Sequence, residues 1–297
     1  MVTGVNLRAS IVIPAHNEES RIRNILRTLT DPTLDGSYAI FVICNGCTDR
    51  TRQVAEEFKG VQVVEIEEVG KHFALNEGDR LAEGIFPRLY CDADIQTDPK
   101  SIAHFIEQLT TDEVVVAGPT VKYDVSHSSW GIRKCLQAME IPVISEWSDA
   151  HLTGRGVYGT SREARKRFEE FPPLLADDAF FDSQYDATEK RMLSEAIVTI
   201  GSPSNFRQLI KIKARDVQGL RDLASYTEGR PRPLDEHTTT SKSNSRYLVG
   251  KIVTLRRWVK DIHFTNFVPL VVYLSLKVLP SFYLAVLRIG RRKVKWR

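Results

Sequence analysis

Along the first hundred or so residues, short apolar runs alternate with stretches of helical periodicity. Residues 10–13 form an apolar run closed by Pro14, and residues 18–29 then place Ile22, Ile25, Leu26 and Leu29 on one helical face. The pattern repeats: residues 38–44 are apolar, Asn45 and Gly46 make a turn, and Thr48 is placed to cap a helix with Val54 and Phe58 inward. A third strand is predicted over 61–66. A helix over 72–83, containing Phe73, Ala74, Leu75, Leu81 and Ala82, leads to a strand made from Ile85, Phe86, Leu89, Tyr90 and Cys91. Asp98 and Pro99 then open a helix that turns Ile102, Phe105, Ile106 and Leu109 inward, with Asp at the cap and Pro at the first helical position.

Strands alternating with helices imply parallel pairing and right-handed crossovers, hence an α/β fold. After residues 114–117 the alternation fades. Residues 130–147 read as a helix kinked by Pro142, residues 154–159 as a glycine-punctuated strand or loop, and further helices are predicted near Ser161 and Asp177. The stretch 225–246 is rich in Thr, Ser, Pro and charge, and is expected to be a loop or linker.

Composition changes this picture at one end only. The chain has 297 residues, 42% hydrophobic and 27% charged, with a formal charge of +3, which is ordinary for a globular protein. From Lys251 onward, however, 11 Lys and Arg face a single acid, Asp261, whereas the first 250 residues hold 30 Lys and Arg against 37 Asp and Glu. The same tail contains an apolar stretch over 264–287, interrupted by Pro269, Lys277 and Pro280 and flanked by basic residues on both sides. Symmetric basic flanks give no orientation, so peripheral or re-entrant attachment to an anionic leaflet is expected ahead of a clear span or a buried helical pair. The stretch before Ser10 is not a secretory signal, so synthesis in the cytoplasm is expected. Cys44 and Cys47 form one C-x-x-C without a second pair, so they, Cys91 and Cys135 are read as reduced thiols. No nucleic-acid motif accompanies the basic tail.

The most informative chemistry is Asp92-Ala93-Asp94, placed where a buried strand ends. Open α/β sheets bind ligands at that end, and paired carboxylates are hard oxygen donors for a divalent cation, although a solvated turn would read the same in isolation. Context comes from two earlier strand ends, Pro14-Ala15-His16-Asn17-Glu18-Glu19 and Asn45-Gly46-Cys47-Thr48-Asp49-Arg50-Thr51. In this order and spacing, over about residues 9–215, the motifs resemble family 2 glycosyltransferases of the GT-A fold. That resemblance implies a Rossmann-like, mixed but mainly parallel sheet flanked by helices, here with a C-terminal apolar and basic helical segment that associates with a membrane.

It also implies roles. Pro14, Ala15, His16 and Glu18 would lie along the base and ribose of a nucleotide-sugar donor, with helix-start electrostatics an alternative for Glu18 and Glu19. Asn45 stands where many relatives carry an acid that reads the base. Asp49 fits the family's Asp in this turn, though capping explains it nearly as well, and Lys71 matches a position near the nucleotide. Asp94 would hold Mg²⁺ or Mn²⁺, with Asp92 toward the ribose or the metal's water, and Ala93 between them. Asp177 and Asp178 match the family's acidic pair, Asp178 being the base and Asp177 supporting it or contacting the acceptor, with helix capping as the alternative. Gly154, Arg155 and Gly156 match an acceptor-side segment. Lys211 and Arg215 belong to a basic cluster suited to a diphosphate, but Gln208, Lys211 and Ile212 lack the Trp of the polymerising Gln-x-x-Arg-Trp motif.

The expectation is therefore an inverting, metal-dependent transferase moving one sugar from a nucleotide-diphosphate donor to a lipid-linked or cell-surface glycan precursor at the cytoplasmic face of the cell membrane. Its parts would be a donor half (9–118) and an acceptor half (119–224) in a domain over 1–224, a linker over 225–246 and a tail over 247–297. A nucleotidyltransferase would also pair acids with a nucleotide, but needs a glycine-rich, basic loop after the first strand, which Pro14-Ala15-His16-Asn17 is not. A silent scaffold of the same fold has no use for Asp92, Asp94 and Asp178 together.

Overall fold

The computed structural model describes residues 8–34, 38–139 and 151–228. These divide into two compact units, one made of 8–124 and 151–202, the other of 125–139 and 203–228. The predicted tail over 247–297, and the linker beyond residue 228, lie outside the described residues. Among the described residues, no helix is long and apolar enough to cross a membrane.

The first unit is built on an eight-stranded sheet whose strands, from one edge to the other, are Val61–Ile66, Tyr38–Asn45, Ala9–Ala15, Arg88–Cys91, Val157–Thr160, Val116–Asp124, Lys190–Gly201 and Gln96–Thr97. Its first half follows the sequence pattern: β1 (Ala9–Ala15), β2 (Tyr38–Asn45), β3 (Val61–Ile66) and β4 (Arg88–Cys91) are parallel, and α1 (Ile22–Leu29), α2 (Thr51–Glu56) and α3 (Lys71–Leu81) connect them. Every residue of β1 is buried. Ile11, Ile13 and Ala15 pack with Ile22, Ile25, Leu26 and Leu29 on one face, where Ile102 and Phe105 of α4 (Pro99–Leu109) join them. On the other face α3 comes so close to β1 that a Cβ on Gly78 would lie 2.2 Å from Val12 Cγ1, which only glycine permits. Asp98 caps α4 as expected, accepting the Ser101 N–H at 2.9 Å, a contact worth about 1 kcal/mol.

Pro14 does not end β1. The Ser10 N–H faces the β4 side, where it donates to the Pro87 carbonyl, so the Pro14 nitrogen faces that side too; the β1–β4 ladder has already stopped at Val12, and the missing N–H costs no sheet bond. Other departures are local. Helix α1 begins at Ile22 and not at 18, and α2 is not capped by Thr48: Asp49 takes the Thr51 N–H at 2.9 Å instead.

The second half is mixed. β5 (Gln96–Thr97) pairs antiparallel with β8 (Lys190–Gly201), while β6 (Val116–Asp124) runs parallel to β8 and antiparallel to β7 (Val157–Thr160), which also pairs antiparallel with β4. Strand β8 escapes sequence reading because its ladder jumps from Pro119 opposite Leu193 to Thr120 opposite Ile197, which breaks the two-residue alternation. Two short helices, α6 (Arg162–Arg165) and α7 (Asp177–Ser183), start where predicted; Ser161 caps α6 by accepting the Ala164 N–H. The second unit contains α5 (Trp130–Met139) and α8 (Phe206–Glu228), the latter running through residues 225–228, which composition assigned to the linker.

Candidate active site

Two structural braces aim the strand ends of the first unit. Beneath β4 and β7, Tyr90, Tyr158, Phe171 and Phe181 interlock, with ring centroids of Tyr158 and Phe181 4.6 Å apart and of Tyr90 and Phe171 5.2 Å apart. Beside them the Asp79 carboxylate of α3 accepts from Arg88 of β4, from the Tyr90 hydroxyl at 2.6 Å and from Arg165 of α6 at 2.6 Å. Strand β4, α3 and α6 are thus locked together by a buried polar network whose members are mutually satisfied.

Beyond this brace the chain brings together Asp92 at the end of β4, Lys71 at the start of α3, and Asp177 and Asp178 at the start of α7. The Lys71 ammonium lies 2.7 Å from Asp92 Oδ1 and 3.0 Å from Asp177 Oδ2. Tyr158 donates its hydroxyl to Asp177 Oδ2 at 2.9 Å. Burial works against the charge on Lys71, but the carboxylates of Asp177 and Asp92 outweigh it and hold the ammonium well above its usual pKa. Lys71 is therefore a fixed cation at this junction.

Asp178 is positioned from two sides: its Oδ2 accepts the Gly154 N–H at 2.6 Å and its Oδ1 the Ala179 N–H at 2.8 Å. Burial first, and the neighbouring Asp177 carboxylate second, push its pKa up to about 6, against the pull of Lys71. Asp92 is also raised, by burial first, with Lys71 opposing. Three carboxylates against one ammonium leave the cluster anionic, and Asp178 is the member poised to exchange a proton near neutrality.

The loop over 151–156 closes this side. The Gly156 carbonyl accepts the Asp92 N–H at 2.8 Å, and Gly156 adopts a φ of +70°, where a Cβ would lie 2.5 Å from Ile95. Arg155, expected to face an acceptor, is instead 6% exposed and donates to the carbonyls of His151 and Pro119, so it holds the loop's shape. Farther along α7, Asp182 accepts from the Leu152 N–H at 2.8 Å, from His151 at 3.0 Å and from Lys190 at 2.9 Å. The sequence reading missed this anchor, although Asp182 sits four residues after Asp178 and so on the same helical face. It also missed Tyr158 and Arg21.

At the other strand ends, His16 donates Nδ1–H to the Asn45 carbonyl at 2.6 Å, which requires the Nδ1-protonated ring. Asp49 accepts the Glu19 N–H, the Thr51 N–H and the Thr51 hydroxyl; burial opposes its ionised form, but these hydrogen bonds hold its pKa below the usual range. Its visible role is to organise the turn. Glu18 accepts from Arg21 at 3.3 Å, and Arg21 reaches Asp94 Oδ2 at 3.5 Å. Ala93 is buried, Asp94 exposed. Lys211 and Arg215 belong to α8 in the second unit.

The comparisons agree with this layout. The model of "Glycosyl transferase family 2" matches residues 10–172, more than half of the chain. The chain belongs to that family. Within the curated proteins, glycosyltransferase AglE of Haloferax volcanii is 25% identical over 120 residues, a match covering 38% of this chain and 39% of that relative's length. Among solved structures, the mannosyltransferase PcManGT of Pyrobaculum calidifontis, in complex with GDP-Man and Mn²⁺, superimposes with a TM-score of 0.56 at 18% identity, covering 90% of this chain and 87% of its own. Glucosyl-3-phosphoglycerate synthase of Mycobacterium tuberculosis, with Mn²⁺, UDP-glucose and phosphoglyceric acid, gives 0.54 at 20% identity, covering 76% and 82%. These likenesses establish the GT-A-like fold.

For a family 2 glycosyl transferase, two features of this chain bear on what it holds. Among the described residues no three His, Cys, Asp or Glu side chains converge to enclose a metal ion. Asp92 and Asp94 nevertheless fit one: both side chains are 41% exposed at a sheet's ligand-binding end, and a hard cation takes its remaining oxygens from phosphate and water. Second, the fully buried amide of Asn45 has neither its nitrogen nor its oxygen hydrogen-bonded among the described residues, an arrangement that costs free energy unless a ligand or water completes it.

Proposed function

We propose that this chain moves a single sugar from a nucleotide-diphosphate sugar to an acceptor hydroxyl by direct, inverting displacement. Asp178 is the base. It takes the acceptor's hydroxyl proton as the acceptor oxygen bonds to the anomeric carbon; the bond from that carbon to the diphosphate breaks, and its electron pair leaves with the nucleoside diphosphate. The observation that carries this reading is Asp178 itself, fixed by the Gly154 N–H and shifted to a pKa of about 6, beside the Lys71–Asp92 pair. A carboxylate with that pKa is ionised at neutral pH and still basic enough to share a proton in the transition state.

Asp94 and Asp92 hold Mg²⁺ or Mn²⁺ when bound, and such an ion neutralises charge on the departing diphosphate. The strand-end loops carrying His16 and Asn45 form the nucleoside side, where the Asn45 carbonyl holds the His16 ring through its Nδ1–H. Single transfer, not polymerisation, is supported by Ile212 following Lys211 where a processive enzyme carries Trp. The acceptor is a lipid-linked or cell-surface glycan precursor and the site of action the cytoplasmic face of the membrane, a placement supported by the basic, apolar sequence after Lys251.

The test is calorimetric titration of the full chain with candidate nucleotide sugars and Mn²⁺. Asp94→Ala is expected to abolish the Mn²⁺-dependent part of donor binding, while Asp178→Asn keeps it. Unchanged Mn²⁺-dependent affinity in Asp94→Ala defeats the metal role.

A further inference from the structure

In the second unit, α5 and α8 lie side by side and begin at the same end. The Ser129 N–H donates to the Ser204 carbonyl at 2.9 Å, and the Phe206 ring sits over Gly131, where a Cβ would come within 2.5 Å of it. Ile132, Cys135 and Leu136 of α5 pack against Leu209 and Ile210 of α8. At the shared end two large aromatics are left outside this small core: Trp130 is 61% exposed and Phe206 39%.

Charge around them has one sign. From Trp130 to Met139 and from Phe206 to Arg215 there is no acid; the helices carry Arg133 and Lys134, and Arg207, Lys211, Lys213 and Arg215, before Asp216 interrupts the run. Arg133 falls at i+3 from Trp130, and Lys211 at i+4 from Arg207, so each helix carries basic residues on the stripe that starts at the exposed end. Arg133 and Arg207 are exposed, and among the described residues neither is ion-paired to a carboxylate.

We propose that the first turns of α5 and α8 form a docking face for an anionic lipid surface. Aromatic rings at the level of the headgroups, with guanidinium and ammonium groups reaching lipid phosphates, are the chemistry of an interfacial contact. A bilayer is favoured over an acidic protein or RNA by the same polypeptide's tail, whose apolar stretch and 11 basic residues provide a second lipid-directed element, and stable attachment takes two such elements. This deepens the membrane placement proposed above and rests on it.

The experiment uses the full chain with vesicles of phosphatidylcholine alone and of phosphatidylcholine with phosphatidylglycerol, reading both co-sedimentation and amide hydrogen exchange. Anionic vesicles are expected to slow exchange in the first turns of α5 and α8. The variant Trp130→Ser/Arg133→Gln/Arg207→Gln is expected to partition at least about tenfold more weakly, since each basic residue near such a surface contributes on the order of fivefold. The control Lys59→Gln/Lys100→Gln, which removes two exposed charges from the first unit, is expected to change partitioning less than the patch variant. Equal binding by the patch variant and wild type, with no protection at α5 and α8, overturns the docking face while leaving tail attachment standing. No vesicle binding by the wild type overturns both. Protection of this face by RNA, or by raised protein concentration without vesicles, assigns it to another partner and also overturns the proposal.

Discussion

Lys71→Met removes the cation that, among the described residues, joins Asp92 to the acidic pair of α7. Its ammonium contacts Asp177, whose side chain is 6% exposed, at 3.0 Å, and Asp92, 41% exposed, at 2.7 Å. A contact of this length is worth roughly 5–6 kcal/mol at an effective dielectric of 20, before desolvation is subtracted, but the half-open Asp92 is screened by water and contributes much less. Deleting one partner of a buried pair leaves the other charge uncompensated, so the net loss is about 3 kcal/mol, carried mostly by Asp177. At about 2–4 °C per kcal/mol the melting temperature falls by roughly 6–12 °C, read by circular dichroism at pH 7. Asp177→Asn in the same background recovers part of that loss, because the uncompensated charge is gone; the double-mutant cycle is expected to show a coupling above ~1 kcal/mol. A melting temperature changed by less than about 1 °C, or strictly additive losses, refutes the reasoning.

Two further outcomes follow from buried groups. Asn45→Leu, close in volume but apolar, is expected to leave thermal stability unchanged or raised, because the amide has no partner among the described residues; a large stability loss contradicts that view. Half-buried Cys47, whose pKa is drawn below the usual thiol range chiefly by a hydrogen bond from the buried Cys44 thiol, is expected to be the first of the four cysteines alkylated by iodoacetamide. Its rate constant levels off at a lower pH than that of an ordinary thiol, and peptide mass spectrometry showing Cys135 labelled first is the opposing result.

The parallel half of the fold was legible because burial there is one-dimensional. β1 and β2 are nearly continuous apolar runs, Leu89, Tyr90 and Cys91 form another, and α1 and α4 show clean periodicity, so the pattern alone puts Asp92 at a strand end. The other half was not, for physical reasons that differ by element. Strand β8 carries an irregularity that destroys alternation, and α8 stays helical through polar residues that composition reads as linker. In the site, residue types announced Asp92, Asp94 and Asp178, yet their partners are long-range. Asp177 meets Lys71 across more than a hundred residues of chain, and Arg155 turns out to bond carbonyls of its own loop and of β6. Local sequence shows that a group can do chemistry. Only the tertiary contacts show which groups hold it still.

The central claim is that Asp178 is the base and that its surroundings set its working pH. Because its pKa is raised to about 6, the active ionised form is lost as pH falls through that value, so transfer under donor saturation should decline tenfold per unit below about pH 6. The decisive measurement is the pH–rate profile of sugar transfer for wild type and Asp178→Asn at equal donor occupancy. The variant is expected to bind donor normally, to lose at least ~10² in rate and to lose the limb near pH 6. Near-normal turnover in the variant, or a limb that survives the substitution, contradicts that claim.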